Sequence, residues 1–235
     1  MRAMILAAGR GERMRPLTDH CPKPLLPAAG KPLIVYHLER LAAAGFRDIV
    51  INHAHLGEQL VAALGDGAPW GLSITWSPEP VGALETAGGI RQALPWLDAS
   101  NDSGDDAPFL VINGDIYCDW TITPRALATT DLAHLVLVDN PIQHPNGDFV
   151  LHHDRVRDRT TETDTTLTFA GIGLYRPSLF KDLVVGEPAK LAPLLRAAMA
   201  NHQVSGEHHR GRWEDVGTPE RLALLDRELR AQTTP

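Results

Sequence analysis

The chain has 235 residues, 43% apolar and 22% charged, which supports a buried core and argues against wholesale disorder. This length suits one large α/β domain that buries roughly 70–75% of its unfolded surface without staples. The formal net charge of −7 leaves no cation excess for a general nucleic-acid binder, and Cys21 and Cys118 are too few and too far apart for a disulfide framework or a thiolate zinc site.

Met4–Ala8 is a short apolar run closed by Gly9 and reads as a buried strand. Pro32 opens a helix to Ala44, with Leu33, Val35, Tyr36, Leu38 and Leu41 as its apolar stripe and Gly45 as its stop. Strand Asp48–Asn52, helix His55–Leu64, strand Leu72–Trp76 and a helix from Glu85 to Leu94, limited by Pro95, follow. Asp98–Asp106 is rich in Asp, Ser, Asn and Gly and is expected to be a solvated, mobile loop. Phe109–Asn113 and Leu132–Val138 are further strands. Asp148–His152 and Arg155–Arg157 fit a hairpin turning at His153 and Asp154, and Thr166–Tyr175 alternates like a strand. Leu191–Ala200 is a helix with Pro193 in its first turn, and the tail from Pro219 to about Ala231 is an amphipathic helix with Leu222, Leu224, Leu225 and Leu229 inside.

Strands alternating with helices at this spacing predict an α/β fold: a single Rossmann-like domain whose mostly parallel central sheet is flanked by helices. The strand C-termini would share one edge, where ligands bind. The second half is less regular and fits a smaller β subregion. No apolar run approaches the roughly 20 residues of a membrane span, and the apolar stretch near Met1 is too short for a signal peptide, so a cytoplasmic protein without a membrane partner is expected. The sequence leaves the oligomeric state open.

The densest signal lies where the first strand ends, Leu6-Ala-Ala-Gly-Arg-Gly-Glu-Arg-Met-Arg-Pro-Leu-Thr18. Gly9 and Gly11 allow positive φ and close backbone approach, successive N–H groups in such a turn form an anion nest, and Arg10, Arg13 and Arg15 add bidentate phosphate donors. A dinucleotide fingerprint would need glycine where Met14 stands, and the Gly-Lys-Ser/Thr ending of a P-loop is absent. Taken alone, the stretch also fits a tight turn with solvent-facing arginines. Cys21-Pro-Lys-Pro-Leu-Leu-Pro27 follows, with prolines stiffening the loop around Lys23 so that one ammonium points in a fixed direction. Further on, Leu84-Glu-Thr-Ala-Gly-Gly89, Val111-Ile-Asn-Gly-Asp115 and Trp213-Glu-Asp-Val-Gly-Thr-Pro219 stand out. Asp115 and Asp215 are also common turn or cap residues by type.

Together these segments resemble the sugar-1-phosphate nucleotidyltransferase family, with Leu6, Ala7, Ala8, Gly9, Gly11, Arg13, Pro16, Leu17, Thr18, Pro22, Lys23 and Pro24 carrying its N-terminal signature. The resemblance covers essentially the whole chain; Ala87 departs from it, standing where the nearest family forms have glycine. It implies a nucleotidyltransferase domain with a nucleotide-binding half at about 1–115, a sugar-phosphate half at about 116–217 and a C-terminal helix at 218–235. Asp115 and Asp215 would hold catalytic Mg²⁺, Lys23 would meet the α-phosphate, and Arg13 with the Gly9 and Gly11 amides would hold the pyrophosphate portion. Ala7, Ala8, Glu85 and Gly88 would frame base and ribose, and Asn113 would help position the nucleotide. Asp148, Gly171, Ile172 and Lys190 lie in segments similar to the family's sugar pocket, although Lys190 equally fits a snorkelling surface lysine. With one helix beyond Asp215, the acetylating and β-helix-bearing members are not expected, and the short segments are most similar to uridylyltransferases using UTP and a sugar 1-phosphate. GTP with mannose 1-phosphate, dTTP with glucose 1-phosphate, a non-catalytic nucleotide sensor, and a cytidylyltransferase using Trp70, Trp76 or Trp213 remain alternatives. His152-His153 and His208-His209 read as surface histidines, since adjacent strand residues point to opposite faces.

Overall fold

The structure is a computed structural model and describes residues 1–80, 84–98 and 106–233. In chain order its elements are β1 (Ala3–Leu6), β2 (Pro27–Ala28), β3 (Lys31–Pro32), α1 (Leu33–Ala43), β4 (Asp48–His53), α2 (Gly57–Leu64), β5 (Ser73–Pro78), α3 (Glu85–Leu97), β6 (Phe109–Asn113), β7 (Ile116–Cys118), β8 (Ala133–Val138), β9 (Val150–His152), β10 (Arg155–Arg157), β11 (Thr168–Tyr175), α4 (Leu191–Ala200), β12 (Val204–His208), β13 (Trp213–Asp215) and α5 (Pro219–Thr233). The α/β class expected from the alternation is the class observed. No helix among the described residues is long and apolar enough to cross a membrane.

The chain forms two compact units, each assembled from separated stretches. The first takes Arg2–Ala83, Asn113–Pro124 and Arg212–Pro235, and the second takes Leu84–Ile112 and Arg125–Gly211. In the first unit β4 runs parallel to both β1 and β5, with Met4 opposite Val50 and Ile51 opposite Trp76. Met4, Ile5, Ile49 and Ile51 are fully or almost fully buried, as expected of parallel strands covered on both faces. A cluster of Met14, Leu26, Ala28, Leu33, Val216, Leu222, Leu225 and Leu229 packs α5 behind the glycine turn and the Lys23 loop.

In the second unit β11 pairs antiparallel with β6 and β8, β12 runs parallel to β8, and the β9–β10 hairpin adds antiparallel pairing through β12. Phe109, Tyr175 and Phe180 meet ring to ring in its core. A buried ion pair in this unit joins Arg155 to Asp131, which is 1% exposed. Burial pushes the Asp131 carboxyl up, but hydrogen bonds from Arg155 and Ser205 more than offset this and hold it below the usual carboxylate range.

Several expectations need correction. The first strand stops at Leu6, because the Ala7 N–H donates to the Asn52 side chain at 2.8 Å rather than to a neighbouring strand. Helix α3 passes through Pro95 to Leu97, held by burial of Leu94 and Leu97. Leu224 is 39% exposed while Leu222, Leu225 and Leu229 are buried: two residues from Leu222 is more than half a turn away, whereas three and seven return to the same face. The short strands β2, β3, β7, β12 and β13 were not anticipated. Of the expected loop over 98–106, residues 99–105 lie outside the described residues.

Candidate active site

The glycine turn leaves β1 under tight local control. Asn52, buried at the end of β4, accepts from Ala7 N–H and donates its own amide to Glu79 at 2.6 Å. Gly11 sits at φ +67°, and a Cβ there would lie 3.0 Å from the Thr18 methyl and 3.3 Å from Lys23 Cβ, so glycine is needed for both conformation and space. Buried Thr18 closes the turn by donating to the Gly11 carbonyl at 2.8 Å, and Arg10 donates to the Thr18 carbonyl at 3.0 Å. Gly9 is different: a Cβ there would meet no atom within 4 Å, so the space beside it is open. Ala7 and Ala8 are buried, whereas Gly9 and Arg13 are exposed.

Lys23 lies in a short turn closed by Leu25 N–H to the Pro22 carbonyl and Leu26 N–H to the Lys23 carbonyl. Its side chain is 8% exposed, and its ammonium meets Asp115 Oδ2 at 2.6 Å. A buried ammonium needs such a partner, because leaving it unpaired forfeits its hydration. Gly114 explains why Asp115 lies here. Its N–H donates to the Leu6 carbonyl at 2.8 Å, and a Cβ would lie 2.7 Å from that oxygen. Only glycine lets the strand end bearing Asp115 close onto the end of β1.

Asp215 arrives through the β7–β13 ribbon. The strands pair antiparallel with Asp215 opposite Ile116, and Val216 N–H donates to the Asp115 carbonyl at 3.0 Å. The two aspartates, a hundred positions apart in sequence, are therefore neighbours across one short ribbon. Arg221 Nη1 donates to both the Asp215 carbonyl, at 2.8 Å, and Oδ2, at 2.6 Å. From α1, Arg40 braces the ribbon by donating to the Cys118 and Trp120 carbonyls. Burial, followed by the charge of Arg40, lowers the His37 pKa to about 4, leaving the ring neutral. Burial pushes the Cys118 thiol up to about 11, so it offers no nucleophile near neutrality.

Asn113, half-buried at the end of β6, belongs to the first unit, and the other expected residues lie in the second. Glu85 opens α3, exposed and at φ +58°, a left-handed conformation unusual for a side chain of this kind. Ala87 and Gly88 both donate to the Ala189 carbonyl, and a Cβ on Gly88 would lie 2.5 Å from the Glu187 carbonyl oxygen. Protein backbone thus already accounts for that glycine. Lys190 follows this contact, exposed at the start of α4. Asp148 accepts from Phe169 N–H at 2.8 Å and lies 3.1 Å from His144 Nε2. Gly171, at φ +76°, lies where the β11–β8 register slips between Phe169 and Gly173. Ile172 is 1% exposed, so its side chain serves the core and only its backbone can face a ligand. His152 and His153 are exposed as expected, but His208 is mostly buried, 2.9 Å from Asp139.

The first unit therefore brings together Lys23, Asp115 and Asp215 beside the glycine turn. Two partly exposed carboxylates offer the hard oxygen donors that a hard divalent cation takes. Residues 2–147 match the protein family described as Nucleotidyl transferase. The chain belongs to this family. Its members generally use a divalent metal, which the donor set fits. The nucleotidyltransferase is 54% identical over 227 residues to the N-acetylmuramate alpha-1-phosphate uridylyltransferase of Neisseria meningitidis serogroup B, covering 94% of this chain and 95% of that one. It is 34% identical to the enzyme of the same description from Caulobacter vibrioides, over 97% of this chain and 96% of that one. A mannose-1-phosphate guanyltransferase of Candida albicans is 33% identical, but the match spans only 62% of that protein's length. A Bacillus anthracis crystal structure assigned as a glucose-1-phosphate thymidylyltransferase shares the fold, with a TM-score of 0.80, 22% identity and coverage of 100% and 97% of the two chains.

Arg221 was not singled out in the sequence, and neither were the roles of Asn52 and Thr18 in holding the turn. Asn52 and Thr18 act through backbone groups. Arg221 sits among polar residues at the start of a leucine-striped helix, where an arginine ordinarily reads as surface.

Proposed function

We propose that this nucleotidyltransferase joins UTP and N-acetylmuramic acid 1-phosphate to give UDP-N-acetylmuramic acid and pyrophosphate, in the cytoplasm, as a step of cell-wall sugar recycling. One observation carries the substrate assignment: the 54% match to the Neisseria uridylyltransferase runs almost end to end in both chains.

Both reactants are anions, so alignment and charge neutralisation matter more than proton transfer. A phosphate oxygen of the sugar attacks the α-phosphorus in line. The new P–O bond forms as the bond to the departing pyrophosphate breaks, and no covalent enzyme intermediate is required. Lys23 stabilises charge at the α-phosphate. Arg13 and the Gly9 and Gly11 amides hold the pyrophosphate portion, in the open space beside Gly9. Ala7, Ala8 and Glu85 frame base and ribose, Gly88 supports that frame through the Ala189 contact, and Asn113 positions the nucleotide. Asp115 and Asp215 would hold Mg²⁺, which when bound supplies charge neutralisation at the reacting phosphates. Asp148, Lys190 and the backbone at Gly171 and Ile172 serve the sugar.

The deciding experiment measures pyrophosphate release for each pairing of nucleotide and sugar phosphate. UTP with N-acetylmuramic acid 1-phosphate should exceed every other pair by at least about tenfold in kcat/KM, a margin one well-placed polar contact can supply. Faster turnover of GTP with mannose 1-phosphate, or of dTTP with glucose 1-phosphate, would overturn the assignment. UTP binding without pyrophosphate release from any pair would support a nucleotide sensor instead.

A further inference from the structure

We propose that Arg221 is a positioning residue that fixes which oxygen of Asp215 faces the divalent cation; this rests on the metal role proposed for Asp215. The guanidinium contacts one residue twice. Nη1 donates to the main-chain carbonyl of Asp215 at 2.8 Å and to its Oδ2 at 2.6 Å, which locks the carboxylate relative to its own backbone. The Arg221 side chain is only 18% exposed, so this is not a solvated surface pair.

Its mounting is rigid. Arg221 lies in the first turn of α5, whose Leu222, Leu225 and Leu229 are anchored in the same cluster as Val216. Gly217 makes the arrangement possible. A Cβ there would lie 2.8 Å from Arg221 Nη2, 3.1 Å from Arg13 Nη2 and 3.1 Å from Asp215 Oδ1. The absent side chain leaves room for the Arg221 guanidinium against the Asp215 carboxylate. Oδ2 is held by Arg221, and Oδ1 is the oxygen that lies beside Gly217.

Two physical roles make opposite forecasts. A guanidinium that merely neutralises Asp215 competes with a cation, and removing it tightens cation binding. One that orients the carboxylate acts as an outer partner of a metal ligand, and losing such a partner typically weakens metal affinity by about 10–100-fold. The double contact to backbone and side chain of one residue favours orientation.

The experiment titrates Mn²⁺ into the full-length wild type, Arg221→Gln, Arg221→Lys and Asp215→Asn, read by electron paramagnetic resonance, with melting temperature and the metal dependence of turnover alongside. Arg221→Gln should weaken Mn²⁺ binding by about tenfold or more and raise the metal concentration for half-maximal turnover by the same factor. Arg221→Lys keeps the charge and should fold as the wild type does. It should still weaken Mn²⁺ binding by about threefold or more, because a freely rotating ammonium lacks the rigid plane that aims both Nη1 protons at the two acceptors. Wild-type Mn²⁺ affinity in Arg221→Lys, or tighter binding in Arg221→Gln, overturns the inference even if Asp215→Asn abolishes binding. Wild-type affinity in Asp215→Asn, or no Mn²⁺ uptake by the wild type, overturns the metal role itself.

Discussion

Replacing Leu225 by alanine removes three carbons from the cluster that joins α5 to Met14, Leu26, Leu33 and Val216, where Leu225 is 1% exposed. At about 0.8 kcal/mol per buried carbon, with a further cost for the cavity left behind, the loss should be about 3 kcal/mol. For a chain of this length that lowers Tm by about 6–12 °C. Leu224 is the internal control. It is adjacent in sequence but 39% exposed, and Leu224→Ala should cost less than about 1 kcal/mol. Urea and thermal unfolding followed by circular dichroism, on both variants in one buffer, measure the contrast. Equal losses at the two positions would refute the reasoning, because α5 would then present a different face to the glycine turn. The structure would also lose its account of how Arg221 and Val216 are anchored.

Lys23→Met should lower kcat by about 10²–10³-fold, the typical cost of removing one group that stabilises transition-state charge; near wild-type turnover would remove Lys23 from that role. Gly114→Ala places a Cβ 2.7 Å from the Leu6 carbonyl oxygen, so it should destabilise the fold by about 1–3 kcal/mol and lower turnover together, and an unchanged urea midpoint would contradict that close approach. The His37 pKa of about 4 lies below its unfolded value, so as pH falls below about 6.5 the unfolded chain takes up a proton that the folded chain refuses. Stability from this group is therefore complete above pH 6.5 and declines by about 2 kcal/mol by pH 5. His37→Leu should remove that share of the decline in urea midpoints at pH 8 and pH 5, and a variant with the wild-type pH dependence would show the ring to be solvated or paired. Arg155→Ala should cost about 1–3 kcal/mol by stranding buried Asp131, with the partial exposure of Arg155 tempering the loss, and a change in Tm under 1 °C would count against the pair.

Much of this was legible in the residues because the signals were local. The apolar run from Met4, Gly11 in the turn and the prolines flanking Lys23 each impose their conformation on immediate neighbours, and the structure agrees at these points, with the strand ending at Leu6 rather than Ala8. The convergence of Asp115 and Asp215 was expected from family resemblance alone. Its physical means, the β7–β13 ribbon, was invisible because three-residue strands carry too little periodicity to register. Ile172 was misleading for a related reason. A strand residue beside a bulge can offer its backbone to a ligand and its side chain to the core, and the sequence does not separate the two. Gly88 shows the same ambiguity, since close approach by Glu187 and close approach by a nucleobase demand the same missing Cβ.

The interleaving of the first unit also sets a timetable. On the ribosome the chain acquires its glycine turn and Lys23 early, yet β7 waits for β13 while residues 119–212 are translated. Until Asp215 has emerged and docked, a nascent or prematurely terminated polypeptide lacks the second carboxylate proposed for the cation.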